Sequence, residues 1–130
     1  MRVYLASTAD ELQEFLQEGS LDIPEVYAPT PIYFATHPEM DEEEIEFSLS
    51  LLAAEDAQEL TDEHSGAPVV IAFEIPEELL GSFDEVSANL TGPLLWKMVE
   101  AIFLVGTEPE DLTWFAPQET ELMIADWLAR

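Results

Sequence analysis

The chain has no cysteine and only three bases, Arg2, Lys97 and Arg130. The first absence removes disulfides, thiolate catalysis and thiolate metal sites together. The second removes the basic footprint that neutralises phosphates, which excludes direct nucleic-acid binding and docking on anionic lipid. Long apolar runs are also missing, since none approaches the roughly 20 residues of a membrane span. Residues 1–4 enter a strand-like pattern directly, without the basic start and long apolar run of a signal peptide, so a cytoplasmic location is expected. No G-x-S-x-G elbow, H-E-x-x-H helix, phosphate-binding loop or internal repeat occurs.

What is present is acid on an apolar frame. Twenty-nine acids against three bases give a formal charge of −26, while 48% of residues are hydrophobic and 10% aromatic. That apolar content distinguishes the chain from a disordered acidic tail and is sufficient for one core, so residues 1–130 are expected to form a single domain. The charge must oppose compaction through self-repulsion.

Val3 and Leu5 alternate with Arg2, Tyr4 and Ala6, the period of a half-buried strand. Thr8 and Glu11 have the spacing of a capping box ahead of the stripe Leu12, Phe15 and Leu16, and Gly19 stops that helix. Residues 20–40 carry four prolines and read as loop with short ordered pieces. There Thr30 and Pro31 suit the start of one helical turn, with a short strand as the alternative. Asp41 and Glu44 form a second box, opening a helix expected to run to about His64. Its uncharged middle, residues 47–54, is expected to be buried on most sides.

Residues 69–73 and 99–105 read as strands covered on both faces. Val86, Ala88 and Leu90 alternate as in an outer strand, and residues 112–115 pair with 99–105 as a hairpin. Gly92 and Pro93 precede a short helical turn near Trp96, and Leu122, Ile124, Ala125, Trp127 and Leu128 stripe a final helix. The expected fold is α+β, a mixed sheet of four or five strands packed by three or more helices on opposite faces.

Each cluster with chemical potential has a structural explanation. The run Asp41, Glu42, Glu43, Glu44 with Glu46 offers hard oxygen ligands but lacks the alternation and glycine of a calcium loop, and acids at a helix start account for it. His37, with Glu39 and Asp41 at alternate positions, sits beside Pro38 in a loop, and His64 suits a helix C-terminus. Ser7 and Thr8 follow a strand without the glycines or lysine of a phosphate site. Among 29 acids some pair always stands at glycosidase distance, so such pairing carries no information. Neither a cofactor nor a metal is expected. Of the three tryptophans, Trp114 and Trp127 follow apolar patterns and are expected in the core, while Trp96 beside Lys97 is expected to be exposed.

Met1-Arg2-Val3-Tyr4-Leu5, Asp41-Glu42-Glu43-Glu44-Ile45-Glu46-Phe47, residues 69–72 and Leu112-Thr113-Trp114-Phe115-Ala116 resemble an uncharacterised actinobacterial family, a domain of unknown function. The resemblance implies a small α+β fold of similar length and a cytoplasmic location. It implies no catalytic residue.

The leading functional reading is a non-enzymatic module that presents acids to a basic protein partner, in its strongest form by mimicking a nucleic-acid backbone. Glu42, Glu43 and Glu46 at one end of the middle helix, Glu55, Asp56, Glu59 and Asp62 at the other, and Trp96 are the candidate partner-binding residues. The alternatives are acidity as solubility or salt adaptation, weakened by 21 Glu against 8 Asp, and a small enzyme with a carboxylate site. Self-repulsion makes a direct prediction. The melting temperature should rise as sodium chloride increases from about 10 mM to about 500 mM, where screening becomes short-ranged; a flat profile in calorimetry would contradict it.

Overall fold

A computed structural model describes residues 1–61 and 66–130. Strand β1 (Arg2–Thr8) leads into helix α1 (Ala9–Glu18), followed by short strands β2 (Ser20–Leu21) and β3 (Glu25–Tyr27). Helices α2 (Pro31–Thr36) and α3 (Glu42–Leu60) precede β4 (Pro68–Glu74), β5 (Leu80–Phe83), β6 (Ser87–Leu90) and β7 (Leu94–Leu95). The hairpin β8 (Val99–Val105) and β9 (Leu112–Phe115) then leads to α4 (Thr120–Leu128).

Seven strands form one sheet in the order β5-β6-β3-β1-β4-β8-β9, and β2 pairs with β7 beside it. Every described pairing is antiparallel. The sheet is therefore larger than expected and not mixed. The additional strands are two to four residues long and lie among prolines or, in β5, include Gly81, so no run long enough to show a period marks them. The two-faced apolar strands do not require parallel neighbours, because helices cover both faces of an antiparallel sheet here.

On one face, Leu12 and Phe15 of α1 and Trp127 of α4 pack with Val3, Val69, Ile71 and Phe73. On the other, Ile45, Leu49, Ala53 and Ala57 of α3 pack with Tyr4, Val70, Ala72 and Ala101. β1 is thus covered on both faces, Tyr4 included, rather than half-buried as its alternation predicted. The tyrosine and arginine on its second face are long side chains beneath a helix, which a hydrophobicity count reads as solvent-facing.

The capping of α3 is as expected: Glu44 N–H donates to Asp41 Oδ1 at 2.8 Å and Asp41 N–H to Glu44 Oε1 at 3.3 Å. Thr30 accepts from Tyr33 N–H at 3.1 Å, and α2 ends at Thr36, two residues past the single turn through Phe34 that the sequence suggests. Gly19 closes α1 with φ +78°, a left-handed conformation glycine adopts without steric cost. The box at α1 does not form. The Thr8 hydroxyl donates to Asp10, and Ser7 Oγ donates to Glu11 Oε1 at 2.6 Å. Asp10 engages the Thr8 hydroxyl and itself accepts from Glu11 N–H at 3.0 Å, and Ser7 holds the Glu11 carboxylate, so both members of the expected box are bonded elsewhere.

α3 ends at Leu60 with Thr61 as its C-cap, and the predicted end at His64 lies outside the described residues. Its middle is buried along one stripe only: Leu49, Ser50, Ala53 and Ala54 face the sheet, whereas Phe47 is 56% exposed. A helix lying on a sheet buries one side, and the small residues of that stripe let it approach closely. In α4 the same geometry buries Trp127 completely and leaves Leu122 84% exposed, against the predicted stripe, because five positions of 100° turn the two apart.

Urea denaturation should separate these roles. Trp127→Ala is expected to cost about 3–5 kcal/mol through the cavity it opens, and Asp41→Ala about 1 kcal/mol through the lost cap. Leu122→Ala should change stability by less than about 0.5 kcal/mol.

Candidate functional site

The sheet extends beyond α3 on the side of β8 and β9, and this leaves a concavity between the helix and the hairpin. Its volume is 380 Å³, with Glu43, Glu46, Phe47 and Ser50 of α3 on one wall. Phe103, Leu112 and Glu110 of the hairpin form the other wall, and Arg2 and Tyr4 close the end. Trp114 stands directly opposite Phe103 in the β8–β9 ladder, so the two side chains lie side by side on this face. Trp114 is 58% exposed, and no described helix covers it on the last strand.

Chain chemistry produces this patch in a simple way. Phe103 and Leu112 share a face with Ala101 and Val105, which α3 covers, while Phe115 points to the opposite face and stacks edge-to-face on Trp127 with 4.9 Å between centroids. The hairpin turn is tight. Gly106 N–H donates to Asp111 C=O at 2.7 Å, and a Cβ at Gly106 would collide with the Asp111 side chain. Gln58 of α3 ties the turn down, donating to the carbonyls of Gly106 and Thr107 at 3.0 and 3.1 Å.

The acids proposed from the sequence separate onto two flanks. Glu42 and Glu43 are exposed at the start of α3, and Glu46 lies lower, half-buried over the sheet near Arg2. Asp56 and Glu59 line a concavity with Ala6 on the opposite side of the helix, and Glu55 is exposed near them. From Glu43 to Asp56 the helix advances about 20 Å and turns by about 140°, whereas Glu42 and Asp56 differ by only about 40°, so the two groups are separated chiefly along the axis and overlap in part around it. Asp62 lies outside the described residues. Trp96 belongs to the other layer, where it is half-buried and packs edge-to-face on Phe15 with 5.1 Å between centroids. The expected exposures of Trp96 and Trp114 are thus exchanged. Local hydropathy does not reveal that β9 is the last strand or that Phe15 lies beneath Trp96.

Two further concavities lie elsewhere on the surface. One of 260 Å³ between β1, β3 and α3 is lined by Glu25, Tyr27 and Asp56, and the Tyr27 hydroxyl donates to the Asp56 carboxylate. Burial, the bond to Asp56 and the charges of Asp56, Glu25 and Glu55 together push the Tyr27 phenol upward. The other, of 450 Å³, is lined by Pro29, Pro31, Phe34, Leu80 and Phe83 with Glu77 as its acid. His37 stacks on Tyr33 at 4.4 Å, with Nδ1 3.0 Å from the Tyr33 carbonyl at the end of α2. Among the described residues no three acidic or histidine side chains converge to hold a metal ion, and no helix is long and apolar enough to cross a membrane.

Residues 1–111 match DUF6912, a family of unknown function. The chain belongs to that family. The DUF6912 match contains α3 with its acids and ends in the β8–β9 turn, so β9 and α4 lie beyond it. No curated protein and no solved structure matches the chain.

Glu46 gives this DUF6912 site a pH signature. Burial raises its carboxyl, Arg2 lowers it in part, and Glu42, Glu74 and Glu43 push it further up. A raised folded value means that ionisation is tolerated less well in the fold than in the unfolded chain. The associated stability is complete below the ordinary carboxylate value and is lost as pH rises through the raised one. Glu46→Gln should therefore increase the melting temperature at neutral pH and leave it unchanged in acid, where both side chains are neutral. A lower melting temperature at neutral pH would instead make attraction to Arg2 the dominant effect.

Proposed function

We propose that this protein is a non-enzymatic interaction module that docks a basic segment of a partner protein on the flank between α3 and β9. One observation carries the reading: exposed Phe47 lines a concavity that also holds Glu43, Glu46 and Glu110, and exposed Trp114 stands beside its wall residue Phe103, on a chain of charge −26. Aromatic anchors surrounded by charge are the usual composition of protein interfaces, with the anchor supplying affinity and the rim supplying register and encounter rate.

Arg2 offsets this rim only in part. Its guanidinium is engaged with Tyr4 Oη at 3.1 Å and Glu100 Oε2 at 3.5 Å. The other bases, Lys97 and Arg130, belong to the turn before β8 and to the chain end after α4. In the strongest form of the proposal the acidic flank replaces a nucleic-acid backbone in the partner's basic groove. The second acid group, Glu55, Asp56 and Glu59, adds to the long-range field that steers such an encounter and lies away from the contact itself.

Capture from host lysate across a salt series tests this when three proteins are compared. A genuine partner should elute as salt rises and should be lost from the triple reversal Glu42→Lys, Glu43→Lys and Glu46→Lys. It should bind about tenfold or more weakly to the pair Phe47→Ala and Trp114→Ala, in keeping with the weight of aromatic anchors. Retention by both variants would remove this flank from the interface.

A further inference from the structure

We infer that the open edge of β9 receives the partner's basic segment as an added β-strand, a mode of docking that rests on the acidic-flank reading above. Among the described residues β9 is the last strand of the sheet and pairs with β8 only. Gly106 and Asp111 lie directly opposite in the register that continues through Leu104↔Thr113 and Ile102↔Phe115, and Gly106 N–H bonds to Asp111 C=O at 2.7 Å. Antiparallel ladders alternate between bonded and non-bonded pairs, so Thr113 and Phe115 direct their backbone groups to β8 while Leu112 and Trp114 direct theirs outward. Leu112 N–H is occupied by Glu110 C=O at 3.1 Å. Among the described residues nothing engages Trp114 N–H, Trp114 C=O or Leu112 C=O, which leaves one donor and two acceptors in a row.

The two sheet edges differ. β5 has an irregular register against β6 between Leu80 and Phe83 and contains Gly81, features that twist an edge away from a newcomer. Residues 112–115 carry no proline, lysine or other charge, and their ladder with β8 is regular over four pairs. Such an edge accepts main-chain hydrogen bonds from an extended peptide, whose alternate side chains then fall on each face. One set would lie beside Trp114 and Leu112 on the α3 face, close to Glu110 and the acids of α3. Charge selects the occupant: a second copy would bring another −26 to the edge, whereas an extended segment alternating Lys or Arg with Val or Ile matches both the apolar strip and its rim.

The test uses the intact protein, isotopically labelled, and an acetylated, amidated peptide alternating Lys and Val. Its fully N-methylated counterpart keeps the side chains and charge but has no amide donors. The unmodified peptide should protect the Trp114 amide from hydrogen exchange, and methylation should weaken binding by about tenfold or more through loss of the main-chain bonds. Equal binding of both peptides would overturn strand addition and leave acidic docking intact. Failure of both to bind would overturn the acidic-flank reading for a peptide of this chemistry. Protection of Trp114 without peptide, together with a concentration-dependent dimer in sedimentation, would assign the edge to a second copy and overturn the proposal.

Discussion

The central strand β4 is buried on both faces along residues 69–73, and the surrounding architecture is organised by the need to keep water from both sides of it. β1 and β8 satisfy its edges, α1 and α4 cover one face, and α3 covers the other. One long helix with a small-residue stripe is enough for the α3 face because Ala53, Ala54 and Ala57 let it sit close to the sheet. That helix covers the middle of a seven-stranded sheet and not its ends. The uncovered strip beside it is where Phe47, Phe103 and Trp114 gather.

The acids are distributed so that the core is not disturbed by them. Glu42, Glu43 and Glu44 occupy the first turn of α3, where the helix dipole favours negative charge and the Asp41 box satisfies two backbone donors. Glu46, one turn further, is the exception, half-buried over the sheet with Arg2 near it and more acids around it. A carboxylate held in such surroundings costs stability, because burial and neighbouring acids both disfavour its charged form.

Elements with a strong local signature were legible. The Asp41-Glu44 box, the Thr30-Pro31 start, the apolar runs of β4 and β8 and the hairpin to β9 all have their cause within a few residues, and all are present. The Thr8-Glu11 box had the same spacing and failed, because the neighbouring Asp10 and Ser7 engage its two side chains. Short strands such as β3 and β5 were missed because pairing with neighbours, not their own composition, makes them strands.

The candidate site divides in the same way. The sequence alone determined the charge of −26, the absence of thiol chemistry and the presence of an acid-rich helix start. Tertiary structure alone decided that Glu46 and Asp56 open onto different concavities, that Trp96 rests on Phe15 while Trp114 is left exposed, and that β9 ends the described sheet. The physical reason is that charge and local propensity are sums over nearby residues, whereas exposure depends on which distant element lies above a side chain.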